Sequence, residues 1–464
     1  MSSPILWIIL PLVVSVLLWF FEHNRIITAI TSTALCLLLA FLAMILPVET
    51  QVNFGGLSFM LDSNLNVMGR YFILDDAARG ILTFLYALGA FWFLGAYFTS
   101  VHRYFWPLGL TILSLVVGAI AVRPFFYSAL ILEVAVLLSI PFLYPPGVKI
   151  GQGGLRFLIF QSLAVPVILF AGWFAAGVEA NPGNQALIFQ AVIFTGLGVA
   201  FWLAVFPFYT WIPLILEETN LYAASVIISL LNSASLLTLL YLINSFSWLR
   251  NFTYLPDILR LVGAIMVFLA GILALFERKL TRLMGYAFIL ETGISLVTLS
   301  LLNRDGYQIY LALLLPRLLS IGIWSIALSS LMSDGILLID DLKGLLYSRP
   351  VTVITLIISI LTIGGLPLLA TFSLRYIVYE ELAQFSFLTV LWTFLGQALF
   401  LITAFRLIYR VSINRKDTWL FRDRRSIAIL TGIGALFLIL MGIFPNGLLT
   451  VMSSLAKEFT LLGF

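Results

Sequence analysis

Long apolar segments separated by short polar ones run through the whole chain, and this pattern constrains the fold more than any other feature of the sequence. Hydrophobic residues make up 62% of the 464 residues and charged residues only 10%, whereas soluble domains carry about 25% charged residues. Since about 20 apolar residues span a bilayer as a helix, we predict an all-α integral membrane protein with about fourteen transmembrane helices. The predicted spans are 4–20, 26–47, 79–98, 107–122, 125–143, 155–177, 186–206, 222–245, 257–276, 283–301, 307–331, 350–379, 386–409 and 427–448.

Two of the predicted helices contain residues that interrupt helical hydrogen bonding. Pro207 and Pro213 lie near each other in one of them, and Gly365 and Pro367 lie in another. Proline has no amide hydrogen to donate within a helix, and irregular backbone at membrane depth is tolerated only where protein or a wet cavity satisfies it. We therefore predict two broken helices. Prolines that merely kink packed helices are the alternative interpretation of the same residues.

The positions of the two breaks predict how the chain is organised. Broken helices at corresponding places in two halves of a chain are typical of transporters built from inverted repeats. We predict two inverted five-helix repeats, the first at 107–245 and the second at 257–409. Residues 1–106 then hold three N-terminal helices with a polar loop. Residues 410–464 hold a basic loop, the last helix and a tail.

The polar loop in the first region, at 48–78, predicts a small amount of β-structure. Its stretches 51–60 and 70–75 flank turn-forming residues, and such a pattern favours a β-hairpin. Asp75 and Asp76 then precede the start of a helix, where carboxylates interact favourably with the helix dipole.

Basic residues predict the orientation of the chain in the membrane. Most of the 25 Lys and Arg residues fall in loops on one side, including the loops at 278–282 and 410–425. Since basic loops remain in the cytoplasm, we expect this side to be cytoplasmic and both termini to lie outside the cell's inner (plasma) membrane. The net charge of +4 comes from these loops, so the lipid bilayer is the expected partner and nucleic acid is not.

The small number of cysteine and histidine residues limits the disulfide and metal chemistry of this chain. The single cysteine, Cys36, excludes a disulfide within the chain and any cysteine-ligated zinc or iron–sulfur site. His23 and His102 lie in separate polar loops, which is not a usual ligand spacing for a metal. We therefore predict no metal site, no bound cofactor and no redox catalytic residue in this chain.

Four ionisable residues fall well inside predicted spans, where a charge costs about 2.5–3.5 kcal/mol on insertion scales. Glu133 has apolar neighbours and no opposite charge within a helical turn, so it can exchange a proton, or stay neutral and hydrogen-bonded. Glu291 can pair with Arg317 or Arg375. Such a pair either anchors helices or transfers protons. These four residues are candidates for a proton path.

Uncharged amide side chains also fall inside spans. They either hold water between titratable groups or join helices by hydrogen bonds. These residues are Gln161, Gln190, Asn232, Asn244 and Gln397.

Three stretches of the sequence carry a resemblance to a known family. LAVFPFYTWIP at 203–213 resembles a Pro-Phe-His-x-Trp-x-Pro core, with Tyr209 in place of the histidine. RLMGYAFILETG at 282–293 resembles Arg-Leu-Leu-Gly-Tyr-Ser-Ser-Ile-x-His-x-Gly, and GLPLLATFSLRY at 365–376 resembles Gly-x-Pro-x-x-x-Gly-Phe-x-x-Lys-Phe. Over roughly 120–410 the chain resembles the antiporter-like membrane subunits of respiratory complex I, most of all subunit N.

The resemblance implies roles for individual residues. The family's glutamate on the fifth span is matched by Glu133, whereas its lysines on the seventh and eighth spans fall at Trp202 and Asn232. The lysine of the twelfth span falls at Arg375, and the histidine of the tenth falls at Glu291. Trp and Asn carry no exchangeable charge, and arginine is effectively always protonated. Proton pumping by this subunit is therefore predicted to be impaired or absent.

The resemblance also implies a function and partners. The chain is expected to be a membrane-arm subunit of a complex I-like NADH:quinone oxidoreductase, associated with proton translocation. FMN, iron–sulfur clusters and quinone are expected in partner subunits, and other membrane-arm subunits are the expected partners. A subunit of a multisubunit cation/proton antiporter or membrane-bound hydrogenase is one alternative. A scaffold subunit that transports nothing is another.

Overall fold

Helices dominate the computed structural model, which describes residues 2–54, 57–413, 422–457, 459 and 462. A π-helical turn, Ile5–Ile9, leads into the first helix. The helices of the first half are α1 (Leu10–Trp19), α2 (Arg25–Ile45), α3 (Arg79–Tyr97), α4 (Phe105–Ala121), α5 (Ser128–Leu143), α6 (Gln152–Ala180), α7 (Gln185–Trp202), α8 (Trp211–Glu218), α9 (Leu221–Ser245) and α10 (Ser247–Arg250). Those of the second half are α11 (Leu255–Phe276), α12 (Leu280–Leu299), α13 (Arg304–Met332), α14 (Leu345–Ser348), α15 (Pro350–Gly364), α16 (Phe372–Phe385), α17 (Phe387–Ser412), α18 (Arg425–Ile443) and α19 (Pro445–Ala456).

Each predicted span but one coincides with a helix of the structure to within a few residues; the span 350–379 instead covers α15 and the first part of α16. Among the described residues, 11 helices are long and apolar enough to cross a membrane. Shorter apolar helices lie at Ile5–Trp19, Phe105–Ala121 and Pro350–Gly364. The prediction of an all-α, multi-pass membrane protein is confirmed. The number of crossings and the inverted relation between 107–245 and 257–409 stay predictions.

Three long helices form the centre of the bundle. The most apolar stretch of α9 is 100% buried and those of α12 and α13 are 89% buried, compared with 28% for α6 at the periphery. A helix that is apolar on all sides is buried on all sides. Small residues on α9, including Ser225, Ser229 and Ser233, let neighbouring helices approach closely. The ionisable and amide groups on these three helices therefore lie deep in the protein.

The polar loop contains two hairpins, so the predicted pairing of 51–60 with 70–75 is wrong. Strand β1 (Gln51–Phe54) pairs with β2 (Leu57–Met60). The second hairpin joins β3 (Asn64–Val67) to β4 (Arg70–Ile73), which also pairs with β5 (Val122–Arg123). Pairing nearest neighbours along the chain closes shorter loops and loses less chain entropy.

The turn of the second hairpin has a local cause. Met68 and Gly69 both adopt positive φ, 51° and 74°, as a two-residue type I′ turn requires. Just beyond it, the Asp75 side chain accepts a hydrogen bond from the Ala78 amide at 3.1 Å, next to the start of α3 at Arg79.

Glycine contacts hold α11 against two neighbours. A Cβ atom on Gly271 of α11 would collide with the backbone of Gly396 on α17, and one on Gly396 would collide with the backbone of Val267. Gly263 of α11 and Gly293 of α12 approach each other in the same way. Close backbone approach through small residues is a common means of joining helices in membranes.

We expect Gly396→Ala to destabilise the protein by about 1–3 kcal/mol, because the added methyl group forces α11 and α17 apart. The measurement is the thermal unfolding midpoint of the purified chain in detergent. Gly196→Ala on α7 is the matched control, since nothing lies within 4 Å of its added Cβ. Equal midpoints for the two variants would show that the glycine contact does not hold α11 to α17.

Candidate functional site

The first helix break separates α7 from α8. Helix α7 ends at Trp202 and α8 begins at Trp211, so Pro207 lies between the two helices. Pro213 lies in the first turn of α8, where a missing amide hydrogen interrupts nothing. Pro207 therefore lies at the break itself and Pro213 in the first turn of the helix that follows it. That Pro213 contributes to the break stays a prediction.

The second break separates α15 from α16 and contains Gly365 and Pro367. Gly365 adopts a left-handed conformation with φ of 70° directly after α15, a common way for a helix to end. A Cβ atom at this position would collide with the amide of Gln397, the end of a flexible side chain, and would lie 3.3 Å from Cδ of Arg375. The left-handed backbone is thus the main reason for glycine here, and the crowded surroundings add to it.

Arg375 joins the second break to the core of the bundle. Its Nη1 donates a hydrogen bond to the carbonyl oxygen of Ile363 at 2.7 Å, in the last turn of α15. Its Nη2 forms an ion pair with Glu291 of α12. Both side chains are 1% exposed. Of the two partners predicted for Glu291, the structure selects Arg375, and this guanidinium also satisfies a carbonyl at a helix end.

Arg317 of α13 joins three helices. It donates from Nη1 to Ser295 Oγ of α12 at 2.9 Å, and from Nη2 to Asn232 Oδ1 of α9. Asn232 in turn donates from Nδ2 to Thr292 Oγ1 at 2.9 Å. The amide of Asn232 is therefore a bridge between a buried guanidinium and a buried hydroxyl group.

We refer to these joined groups as the central network, which comprises six buried residues. They are Asn232, Glu291, Thr292, Ser295, Arg317 and Arg375.

The central network holds more positive than negative charge. Its two guanidinium groups share one carboxylate, because Glu291 contacts Arg375 directly and also attracts Arg317 electrostatically. Arg317 itself has hydrogen bonds to neutral oxygens only among the described residues. Removing a carboxylate from such a site leaves uncompensated charge in a low-dielectric interior. Glu291 is thus the residue on which both arginines depend.

Trp202 lies beside this network without carrying charge. Its side chain is 3% exposed, and Gln161 Nε2 donates to its carbonyl oxygen at 3.1 Å at the end of α7. A cavity of about 10 Å³ is lined by Trp202, Trp211, Asn232 and their neighbours. This volume holds about one water molecule. Aromatic and aliphatic side chains fill most of the space at the first break.

Glu133 lies apart from the central network. Its Oε1 accepts a hydrogen bond from Ser162 Oγ of α6 at 2.6 Å, and its enclosed Oε2 has no partner among the described residues. It is half-buried, and Leu130, Val134 and Leu137 on the same helix are exposed. No hydrogen bond or ion pair between described residues connects Glu133 to Glu291, so a shared route through both stays a prediction.

Several polar contacts were not predicted from the sequence. Ser295 and Thr292 carry hydroxyl groups within about one helical turn of Glu291 on α12. This short spacing is the feature of the sequence that could have indicated their contacts. Tyr379 donates from its hydroxyl to Gln397 Oε1. Gln190, in contrast, is exposed and does not line the interior.

Arg406 donates to the carbonyl oxygens of Leu275 and Glu277 at the end of α11, so it caps a helix. Among the residues that the structure describes, no group of three or more His, Cys, Asp or Glu side chains is arranged to hold a metal ion.

A membrane bundle with two broken helices and buried charge at one of the breaks is typical of ion-translocating membrane proteins. Residues 156–403, more than half of the chain, match the family described as "NADH:quinone oxidoreductase/Mrp antiporter, TM". The chain belongs to this family, as its three motifs predicted.

Relatives in sequence are named as subunits of NADH-quinone oxidoreductase. The chain is 24% identical over 372 residues to NADH-quinone oxidoreductase subunit 14 of Thermus thermophilus, covering 77% of this chain and 82% of the relative. It is 23% identical over 322 residues to NADH-quinone oxidoreductase subunit N 2 of Syntrophobacter fumaroxidans, covering 66% and 68%.

Solved structures share the fold at lower sequence identity. A chain of respiratory complex I from Thermus thermophilus with bound NADH matches with a TM-score of 0.80 and 19% identity, covering 100% of both chains. A chain of the Mrp complex from Dietzia matches with a TM-score of 0.79 and 12% identity, covering 99% of both. A chain of the archaeal membrane-bound sulfane sulfur reductase gives 0.83 and 17%, covering 100% of both.

We expect Glu291→Gln to cost about 3–5 kcal/mol of stability, because it leaves two buried guanidinium groups without a carboxylate. Arg375→Met should cost less, since Glu291 then still compensates the charge of Arg317. The double variant should be more stable than Glu291→Gln alone. Thermal unfolding of the three purified variants forms a double-mutant cycle. Additive losses in the double variant would show that the two residues are not coupled.

Proposed function

We propose that this chain is a membrane-arm subunit of a complex I-like NADH:quinone oxidoreductase. Family membership and the named relatives, subunits 14 and N of that enzyme, support the proposal. Its partners are then other membrane-arm subunits and the bilayer, and FMN, iron–sulfur clusters and quinone lie in neighbouring subunits. The membrane is the cell's inner (plasma) membrane, with the basic loops in the cytoplasm and both termini outside.

A second candidate is a subunit of a multisubunit cation/proton antiporter or of another membrane-bound redox complex. The structural similarity to chains of the Mrp complex and of the sulfane sulfur reductase supports it. The sequence relatives named above favour the quinone oxidoreductase. A purely scaffolding role is the third alternative. The half-buried carboxylate of Glu133, which the resemblance matches to the family's glutamate, favours a role in ion movement over scaffolding, because intramembrane charge is costly without a function.

Our proposal for what this subunit does rests on the contact between Arg317 and Asn232. The family resemblance places a lysine at position 232, and here the side chain of Asn232 accepts a hydrogen bond from the guanidinium of Arg317. Arg317 thus brings positive charge to this point from a different helix. The charge is retained, but in a group that keeps its proton at all accessible pH values.

At the second break, too, an arginine, which keeps its charge, stands in place of a lysine, which can lose its proton. Arg375 stands where the resemblance places a lysine, and it is paired with Glu291. At the first break Trp202 has no ionisable group and is packed among apolar side chains. We propose that the central network holds static charge, so that proton exchange along it is impaired or absent. Glu133 remains the candidate for proton exchange at the outer side of the bundle.

We expect a tagged copy of this chain, purified from native membranes in mild detergent, to retain flavin- and iron–sulfur-containing subunits and NADH:quinone oxidoreductase activity. The measurements are mass spectrometry of the retained subunits and quinone reduction by NADH. Retention of membrane subunits alone, with no redox subunit, would support the antiporter and contradict our proposal.

We expect Asn232→Lys to destabilise the chain by about 3–5 kcal/mol, because a second buried cation would face the guanidinium of Arg317. Adding Arg317→Gln should recover most of the loss, since only one cation then remains at this point. Thermal unfolding midpoints measure both effects. Asn232→Met, with a similar length and no charge, is the matched control. If Asn232→Lys were as stable as Asn232→Met, Arg317 would not be the replacement for the missing lysine.

A further inference from the structure

A groove lies on the basic side of the bundle, away from the central network. It is formed where α2 begins, α3 ends, α13 ends and α18 begins. Two cavities of about 530 and 230 Å³ occupy it, and Arg25, Phe98 and Arg424 line both. The larger one falls within the usual range of about 300–1,000 Å³ for small-molecule sites. We refer to this feature as the basic groove.

Hydroxyl groups at the end of α13 form one wall of the basic groove. Ser329, Ser330 and Ser333 line the smaller cavity. Arg424 donates from Nη2 to Ser333 Oγ at 3.3 Å. The hydroxyl oxygen of Ser329 is enclosed and has no partner among the described residues.

The two arginines of the basic groove are only partly engaged by the protein. Each guanidinium has five N–H donors. Arg25 donates to the Thr99 carbonyl oxygen at 3.0 Å, and its guanidinium carbon lies 5.6 Å from the centre of the Trp106 ring. The described bond of Arg424 is the one to Ser333. Most of their donors therefore remain available to an anion.

Among the described residues, no carboxylate pairs with these arginines. None of the described residues that line the two cavities is acidic. Two carboxylates of neighbouring loops have other partners: Asp334 pairs with Arg349, and Asp423 accepts hydrogen bonds from Thr352 at the start of α15. The positive charge of the basic groove is thus available to a ligand. Two arginines with adjacent hydroxyls suit a phosphate group, which guanidinium groups bind through paired hydrogen bonds.

The apolar side chains at the rim of the basic groove favour a phospholipid over a free phosphate ion as the source of the phosphate group. Ile26 and Tyr97 are 54% and 45% exposed and line the larger cavity. Ile30, one helical turn beyond Ile26 on α2, is also exposed. Apolar side chains that continue along the outside of a membrane helix match acyl chains. A free phosphate ion would gain nothing from them.

We propose that the basic groove binds an anionic phospholipid, with the phosphate between Arg25 and Arg424 and the acyl chains against Ile26 and Tyr97. This site is independent of the function proposed above. It explains why two arginines converge where no carboxylate of the described residues pairs with them, and it ties the start of α2 to the start of α18 through a lipid.

Wild-type protein gives the first test. The purified full-length chain in detergent is titrated with phosphatidylglycerol or with zwitterionic phosphatidylcholine, and bound lipid is counted by native mass spectrometry. We expect phosphatidylglycerol to bind more tightly and to raise the unfolding midpoint. Equal binding of the two lipids would overturn the proposal.

Variants locate the site. Arg25→Gln and Arg424→Gln should each weaken phosphatidylglycerol binding about fivefold, the effect of removing about 1 kcal/mol per basic residue. Arg425→Gln is the matched control, since Arg425 lies next to Arg424 in sequence but does not line either cavity. Equal weakening by the control would place the lipid elsewhere. Displacement of the lipid by millimolar inorganic phosphate would identify a soluble anion as the ligand and would also overturn the proposal.

Discussion

The buried ion pair between Glu291 and Arg375 is the interaction on which the middle of the structure depends. It connects α12, at the centre of the bundle, to α16, which begins only after a helix break. The same guanidinium satisfies a carbonyl of the preceding helix. A broken helix inside a membrane needs such a group, because no lipid can hydrogen-bond its free backbone. The pair therefore belongs to the architecture as much as to any ion path.

Arginine changes what such an architecture can do. A lysine can lose its proton when its surroundings change, whereas arginine keeps its charge. In this chain arginines stand at the second break and beside Asn232, and a tryptophan closes the first break. The fold of the family is thus retained with arginine at or beside positions where the resemblance places lysine. In the function proposed above these charges are static, and their field acts on nearby groups because screening inside a membrane protein is weak.

The sequence predicted the helices and the second break well, because length, hydropathy, glycine and proline act locally. It predicted poorly which side chains contact each other. Glu291 had two candidate arginines, and only the packing of α16 against the core selects Arg375. The contact of Arg317 with Asn232 joins residues 85 positions apart, and no local pattern specifies it. Pro213 lies in the first turn of α8 and not between the two helices, and the sequence alone does not give the residue at which α8 begins.

Gly365 has a consequence for which residues this position can hold. Its backbone is left-handed, a conformation that costs a residue with a Cβ atom about 1–2 kcal/mol. The amide of Gln397 lies where a Cβ atom would be placed, but it is the end of a flexible side chain that can turn away. The backbone of the second break, and not the arginine beside it, is therefore what favours glycine at this position.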